Sequence, residues 1–103
     1  MGEERVGEID EFICKIKKKF NPQKIILFGS RARGEHLEGS DYDIIIVSEA
    51  FKGMSFLRRL EMVYEFWDGE RRMDVLCYTP EEFEKKKRQL SIVKKAVEEG
   101  KML

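Results

Sequence analysis

With 103 residues, 20 basic against 20 acidic side chains and no net charge, the chain has room for one domain and no global electrostatic pull towards nucleic acid or an anionic membrane. Cys14 and Cys77 are too few and too far apart for a disulfide framework or a zinc pair. No leader is evident, and no apolar run approaches the ~20 residues of a membrane span. The expectation is a single domain, residues 1–103, in a reducing cytoplasm. Charged residues make up 39% of the chain and amides are confined to Asn21, Gln23 and Gln89, a composition that leans towards heat adaptation.

In chain order, Val6, Ile9, Phe12, Ile13, Ile16 and Phe20 recur at helical spacing and predict an amphipathic helix ending before Asn21-Pro22. Lys17 to Lys19 fall in its last turn, where positive charge suits the helix dipole, so the run needs no nucleic-acid explanation. The β-branched runs KIILF and DIIIV predict two strands buried on both faces, joined by a polar loop. Phe56, Leu60, Val63 and Trp67 predict a second helix from Ser55 to Trp67. After the turn DGERR, MDVLCY reads as a third strand, with Cys77 as a small buried hydrophobe. Thr79-Pro80-Glu81-Glu82 is a helix start, with Thr79 as N-cap, Pro80 in the first position and Glu82 reaching back as a capping box. That helix is expected to break near Gln89–Ser91, resume through Ile92, Val93, Ala96 and Val97, and stop at Gly100. The order α-β-β-α-β-α-α is that of a small α/β domain with a mixed sheet flanked by helices.

Residues 27–47, LFGSRARGEHLEGSDYDIIIV, do not fit a purely structural purpose. Asp41 and Asp43 alternate onto the same side of a strand, with Cα atoms ~7 Å apart. Their carboxylates repel by roughly 2 kcal/mol at an effective dielectric of 20, and desolvation at the mouth of a buried strand adds to this. A divalent cation relieves both, and hard oxygen ligands suit Mg²⁺, which fills its remaining positions with water and phosphate oxygens. Asp74 opens the third predicted strand. If that strand lies beside the one carrying Asp43, three carboxylates converge, enough for two ions in a phosphoryl-transfer site. Gly29-Ser30 follows the first strand, where glycine lets backbone approach a phosphate and the hydroxyl adds a hydrogen bond. Arg33 is a candidate for neutralising phosphate charge. Arg31, and His36 in the loop, read as solvated.

The pattern Gly29-Ser30-x-Ala32-x-Gly34, followed by Ser40-Asp41-x-Asp43 and a later acidic strand residue, Asp74, resembles the DNA polymerase beta-type nucleotidyltransferase superfamily, and in particular its minimal nucleotidyltransferases. The likeness runs from about Ile9 to Leu103. It implies the polymerase beta-like fold and Mg²⁺-dependent transfer of a nucleoside monophosphate from a triphosphate such as ATP. It assigns Asp41 and Asp43 to two metals, Asp74 to completing the site and drawing the acceptor proton, and Gly29 and Ser30 to the β- and γ-phosphates. Minimal members act as antitoxins that adenylylate a tyrosine of a HEPN RNase toxin, which makes such a protein the expected partner, with no direct nucleic-acid binding and a homodimer open. Two other functions stand beside this one: a non-catalytic antitoxin that neutralises its partner by contact, and a transferase acting on a small molecule.

Overall fold

The computed structural model describes residues 8–28, 42–69, 73–89 and 91–103. The first helix, α1, runs Glu8–Phe20, and the strand β1 follows at Lys24–Phe28. Between them Asn21 takes a left-handed conformation (φ 46°) and donates its N–H to the Lys17 carbonyl at 3.1 Å, ending the helix as a short polar residue can. The strand β2 is Tyr42–Val47, and a single 3-10 turn at Glu49–Phe51 leads into the helix α2, Phe56–Tyr64. Then come the strand β3 (Met73–Tyr78), the helices α3 (Pro80–Gln89) and α4 (Ser91–Glu99), and a two-residue strand β4 (Lys101–Met102).

The strands order as β3-β2-β1-β4. β1 pairs antiparallel with β2 and with β4, whereas β2 and β3 run parallel. Parallel neighbours need a crossover, and α2 supplies it. Strand periodicity sorts the side chains onto two covered faces. Ile25, Ile44, Ile46, Val75 and Cys77 pack with Phe12, Ile16, Phe51 and Val63 under α1 and α2. Ile26, Ile45, Val47 and Tyr78 pack with Phe83, Val93 and Ala96 under α3 and α4. Ile44, Ile45 and Ile46 are fully inaccessible, each contributing about 1.5–3 kcal/mol by burial. That makes β2 the rigid centre of the sheet, as its unbroken apolar run requires.

The start of α3 is the capping box the sequence predicts. Thr79 N–H donates to Glu82 Oε1 at 2.9 Å, and Glu82 N–H donates to Thr79 Oγ1 at 3.2 Å. α3 ends at Gln89 and α4 begins at Ser91, and the expected break near Gln89–Ser91 reaches into a residue outside the described ones. One expectation changes, and one buried charge is new. The second helix stops at Tyr64 rather than Trp67, yet Trp67 still enters the core, edge-on to both Phe12 and Tyr42 at 5.6 Å. Periodicity continued through a turn because packing, not helix, dictates those apolar positions. Arg59, on the nominally polar side of the helix, is buried. Its guanidinium makes a two-pronged pair with Glu82 (2.6 and 3.1 Å) and donates to the carbonyls of Cys77 (2.9 Å) and Met54 (3.0 Å).

β4 has no apolar pattern of its own. It exists because α4 ends at Gly100, whose N–H donates to the Ala96 carbonyl at 2.8 Å. A Cβ on Gly100 would lie 2.6 Å from Ile26 and 2.9 Å from the Leu27 carbonyl, so only glycine lets the chain turn this closely onto β1. Among the described residues no helix is long and apolar enough to cross a membrane.

Candidate active site

Three strand ends meet at one edge of the sheet. β1 ends there at Phe28, β2 begins there at Tyr42, and β3 begins there at Met73. The register makes the meeting specific: Phe28 lies opposite Asp43, and Asp43 lies beside Asp74. In-register residues on neighbouring strands share a face and stand about 4.8 Å apart. Asp43 and Asp74 thus form a lateral pair on the α3–α4 side of the sheet. Asp43 is half-buried and Asp74 exposed, so the pair has one foot in the protein and one in solvent.

Asp43 is held from both sides by the β1 and β3 ladders, and from below by Tyr42, which is buried on the opposite face against Trp67. Among the described residues Asp74 stands on an edge strand with a ladder on one side only. On its open side the Tyr64 hydroxyl donates to the Met73 carbonyl at 2.6 Å. Burial pushes the Tyr64 hydroxyl above its ordinary pKa; a backbone hydrogen bond from Val75 opposes the rise, and the nearby Asp74 carboxylate adds to it. Tyr64 keeps its proton at neutral pH and remains a donor.

Of the residues the sequence singles out, the structure therefore brings Asp43 and Asp74 together. Asp41, Gly29, Ser30 and Arg33 lie outside the described residues, in the segment that leaves β1 and returns to β2 at this same edge. Among the described residues no group of three or more metal-binding side chains occurs. The two carboxylates that are described are hard oxygen donors side by side, a fit to Mg²⁺ rather than to a softer ion. Two clefts lie elsewhere. One, of about 460 Å³, lies between α1 and the β4 end, and another, of about 280 Å³, lies between α2 and β3; neither is lined by Asp43 or Asp74. Sequence reasoning missed Tyr64, whose partners are backbone groups nine and more residues away and carry no local signal.

The nucleotidyltransferase domain family matches residues 9–103. A candidate protein adenylyltransferase of Methanocaldococcus jannaschii, MJ0604, is 49% identical over 51 residues, which cover 48% of this chain and 49% of that protein. The match thus spans about half the length of that relative. Among solved structures, a candidate nucleotidyltransferase from Sulfolobus solfataricus superimposes with a TM-score of 0.64 at 25% identity, covering 92% of this chain and 75% of the other. The Arabidopsis thaliana protein BolA1 superimposes with a TM-score of 0.60 at 20% identity, over 74% of this chain and 95% of its own. That likeness concerns the fold alone. With the family matching almost from end to end, this chain belongs to the nucleotidyltransferase domain family.

Proposed function

We propose that the domain transfers a nucleoside monophosphate, AMP from ATP, to a hydroxyl group on a protein. The observation that carries this reading is the in-register pair Asp43–Asp74 at the edge from which the Gly29-Ser30 segment departs. Asp41, Asp43 and Asp74 would hold Mg²⁺, two ions in a complete site, and Gly29, Ser30 and Arg33 would seat the triphosphate. Bound there, the metal would supply charge neutralisation for the phosphoryl transfer.

The chain's own part is positional. β2, fixed in the core, sets Asp43 with little freedom to relax, and preorganised charge is what makes such a site effective. Asp74, exposed on the neighbouring strand, would take the acceptor hydroxyl proton. The acceptor oxygen bonds to the α-phosphorus, the bond from that phosphorus to the bridging oxygen breaks, and pyrophosphate carries away the electron pair. A protein acceptor is favoured because the relative named above is a candidate protein adenylyltransferase. The more specific form, a tyrosine of a HEPN RNase toxin silenced by this protein as antitoxin, rests on the family resemblance.

The test is label transfer from α-labelled ATP in Mg²⁺, with the product of the neighbouring gene as acceptor. Label on that protein, lost with Asp43→Asn, is the expected result. Tight complex formation without label from the wild-type chain would replace transfer by neutralisation through contact.

A further inference from the structure

We propose that Tyr64 is the positioning residue for Asp74, an assignment that rests on the reading of Asp74 as part of the nucleotidyl-transfer site. The carbonyl of Met73 belongs to the peptide before Asp74, and the Tyr64 hydroxyl donates to it at 2.6 Å. The phenol thus fixes the peptide plane that leads into Asp74, on which one of that residue's backbone angles depends.

This is the work a neighbouring strand would do, and among the described residues β3 has none on that side. Alternation along β3 explains why a helix side chain can substitute. The Tyr78 carbonyl accepts from Ser48 N–H on the β2 side at 2.9 Å, while the carbonyls of Met73 and Cys77 turn outward and accept from Tyr64 and Arg59. α2 therefore closes the outer edge of β3 with two side chains, Arg59 at the far end and Tyr64 at the acidic end. Arg59 holds the strand where no chemistry is placed; Tyr64 holds the peptide that leads into the residue of β3 that carries it. The side chains of Met73 and Val75 are buried on the opposite face, so the hydroxyl and the core grip the backbone from two directions and leave Asp74 to project.

Tyr64→Phe keeps the ring and removes the hydroxyl. Two readouts decide the proposal: the three-bond couplings that report the Asp74 side-chain rotamer in the nucleotide-free protein, and the split between kcat and KM for ATP. The expected result is one dominant Asp74 rotamer in the wild type, averaged couplings in Tyr64→Phe, and a fall in kcat of roughly fivefold, the scale of one lost hydrogen bond, at unchanged KM. Arg59→Lys, at the other end of the same edge, should leave the Asp74 couplings as they are. Wild-type couplings and wild-type kcat in a folded Tyr64→Phe protein would overturn the proposal. A wild-type chain that transfers nothing, but whose Asp74 loosens on removal of the hydroxyl, would keep the positioning role and remove the transfer reading.

Discussion

Asp43 and Asp74 are placed against each other by backbone register, and nothing about two adjacent carboxylates favours folding. The pair carries like charge at the end of a strand whose next four residues are buried, so the Coulomb term between the two opposes the native state. Asp43→Asn removes that term while keeping the side chain's size. The metal-free variant should melt at the wild-type temperature or slightly above it, and added Mg²⁺ should raise the melting temperature of the wild type but not of the variant. A metal-free Asp43→Asn protein melting several degrees below the wild type would show that Asp43 is held for structure instead. Much of this residue-level picture was legible in the sequence, because Asp-x-Asp before an apolar strand is a local pattern. The in-register partnership of Asp43 with Asp74 was legible only as a condition on strand order, and the structure meets that condition. Asp41, Gly29, Ser30 and Arg33 remain assigned by sequence pattern and family likeness. Cys77 was read correctly as a buried hydrophobe: burial drives its thiol up to about 12, with Arg59 pulling the other way, so it is inert at neutral pH.

Among the elements, the join of α2, β3 and α3 is the most heavily braced. Arg59 reaches from α2 across the end of β3 to Glu82, which is already committed to capping α3. The hydrogen bond from Arg59 leads the causes that hold the Glu82 carboxyl below its ordinary pKa; burial opposes it, and bonding to Thr79 assists. A carboxyl whose folded pKa is depressed adds stability above its unfolded pKa and loses it as pH falls through the folded value. Glu82→Gln should therefore cost roughly 3 kcal/mol at pH 7, the lower end for breaking a buried pair because Glu82 is partly exposed. The gap to the wild type should narrow steadily below about pH 4.5, the ordinary range for a glutamate. Denaturant titrations at pH 7 and pH 3 measure both numbers, and an equal gap at the two pH values would contradict the ion-pair account. The capping box was visible because its partners are three residues apart. Arg59 was not, since Arg59 and Glu82 are 23 residues apart and a charged residue on an amphipathic helix gives no sign of a distant carboxylate. β4 escaped for the same reason: two residues carry no periodicity, and only the close approach at Gly100 creates the strand.

At the scale of the molecule, the fold uses its two ends differently. At one, Ser48 Oγ donates to the Phe20 carbonyl at 2.6 Å and accepts from Ala50 N–H, and the Arg59–Glu82 pair closes the structure. At the other, β1 delivers the chain into the 29–41 segment, and the starts of β2 and β3 present carboxylates in register. A mixed sheet makes this possible, because only a parallel β2–β3 pair brings both strand starts to the same edge. A frame of this kind is not tied to one chemistry, so the function rests on whether the acidic edge acts as a unit. Mn²⁺ binding, followed by electron paramagnetic resonance in the presence of a non-hydrolysable ATP analogue, asks this directly. The account predicts that the wild type binds Mn²⁺ and that Asp43→Asn and Asp74→Asn each weaken binding by more than about tenfold, whereas Asp74→Asn binding as tightly as the wild type would contradict it.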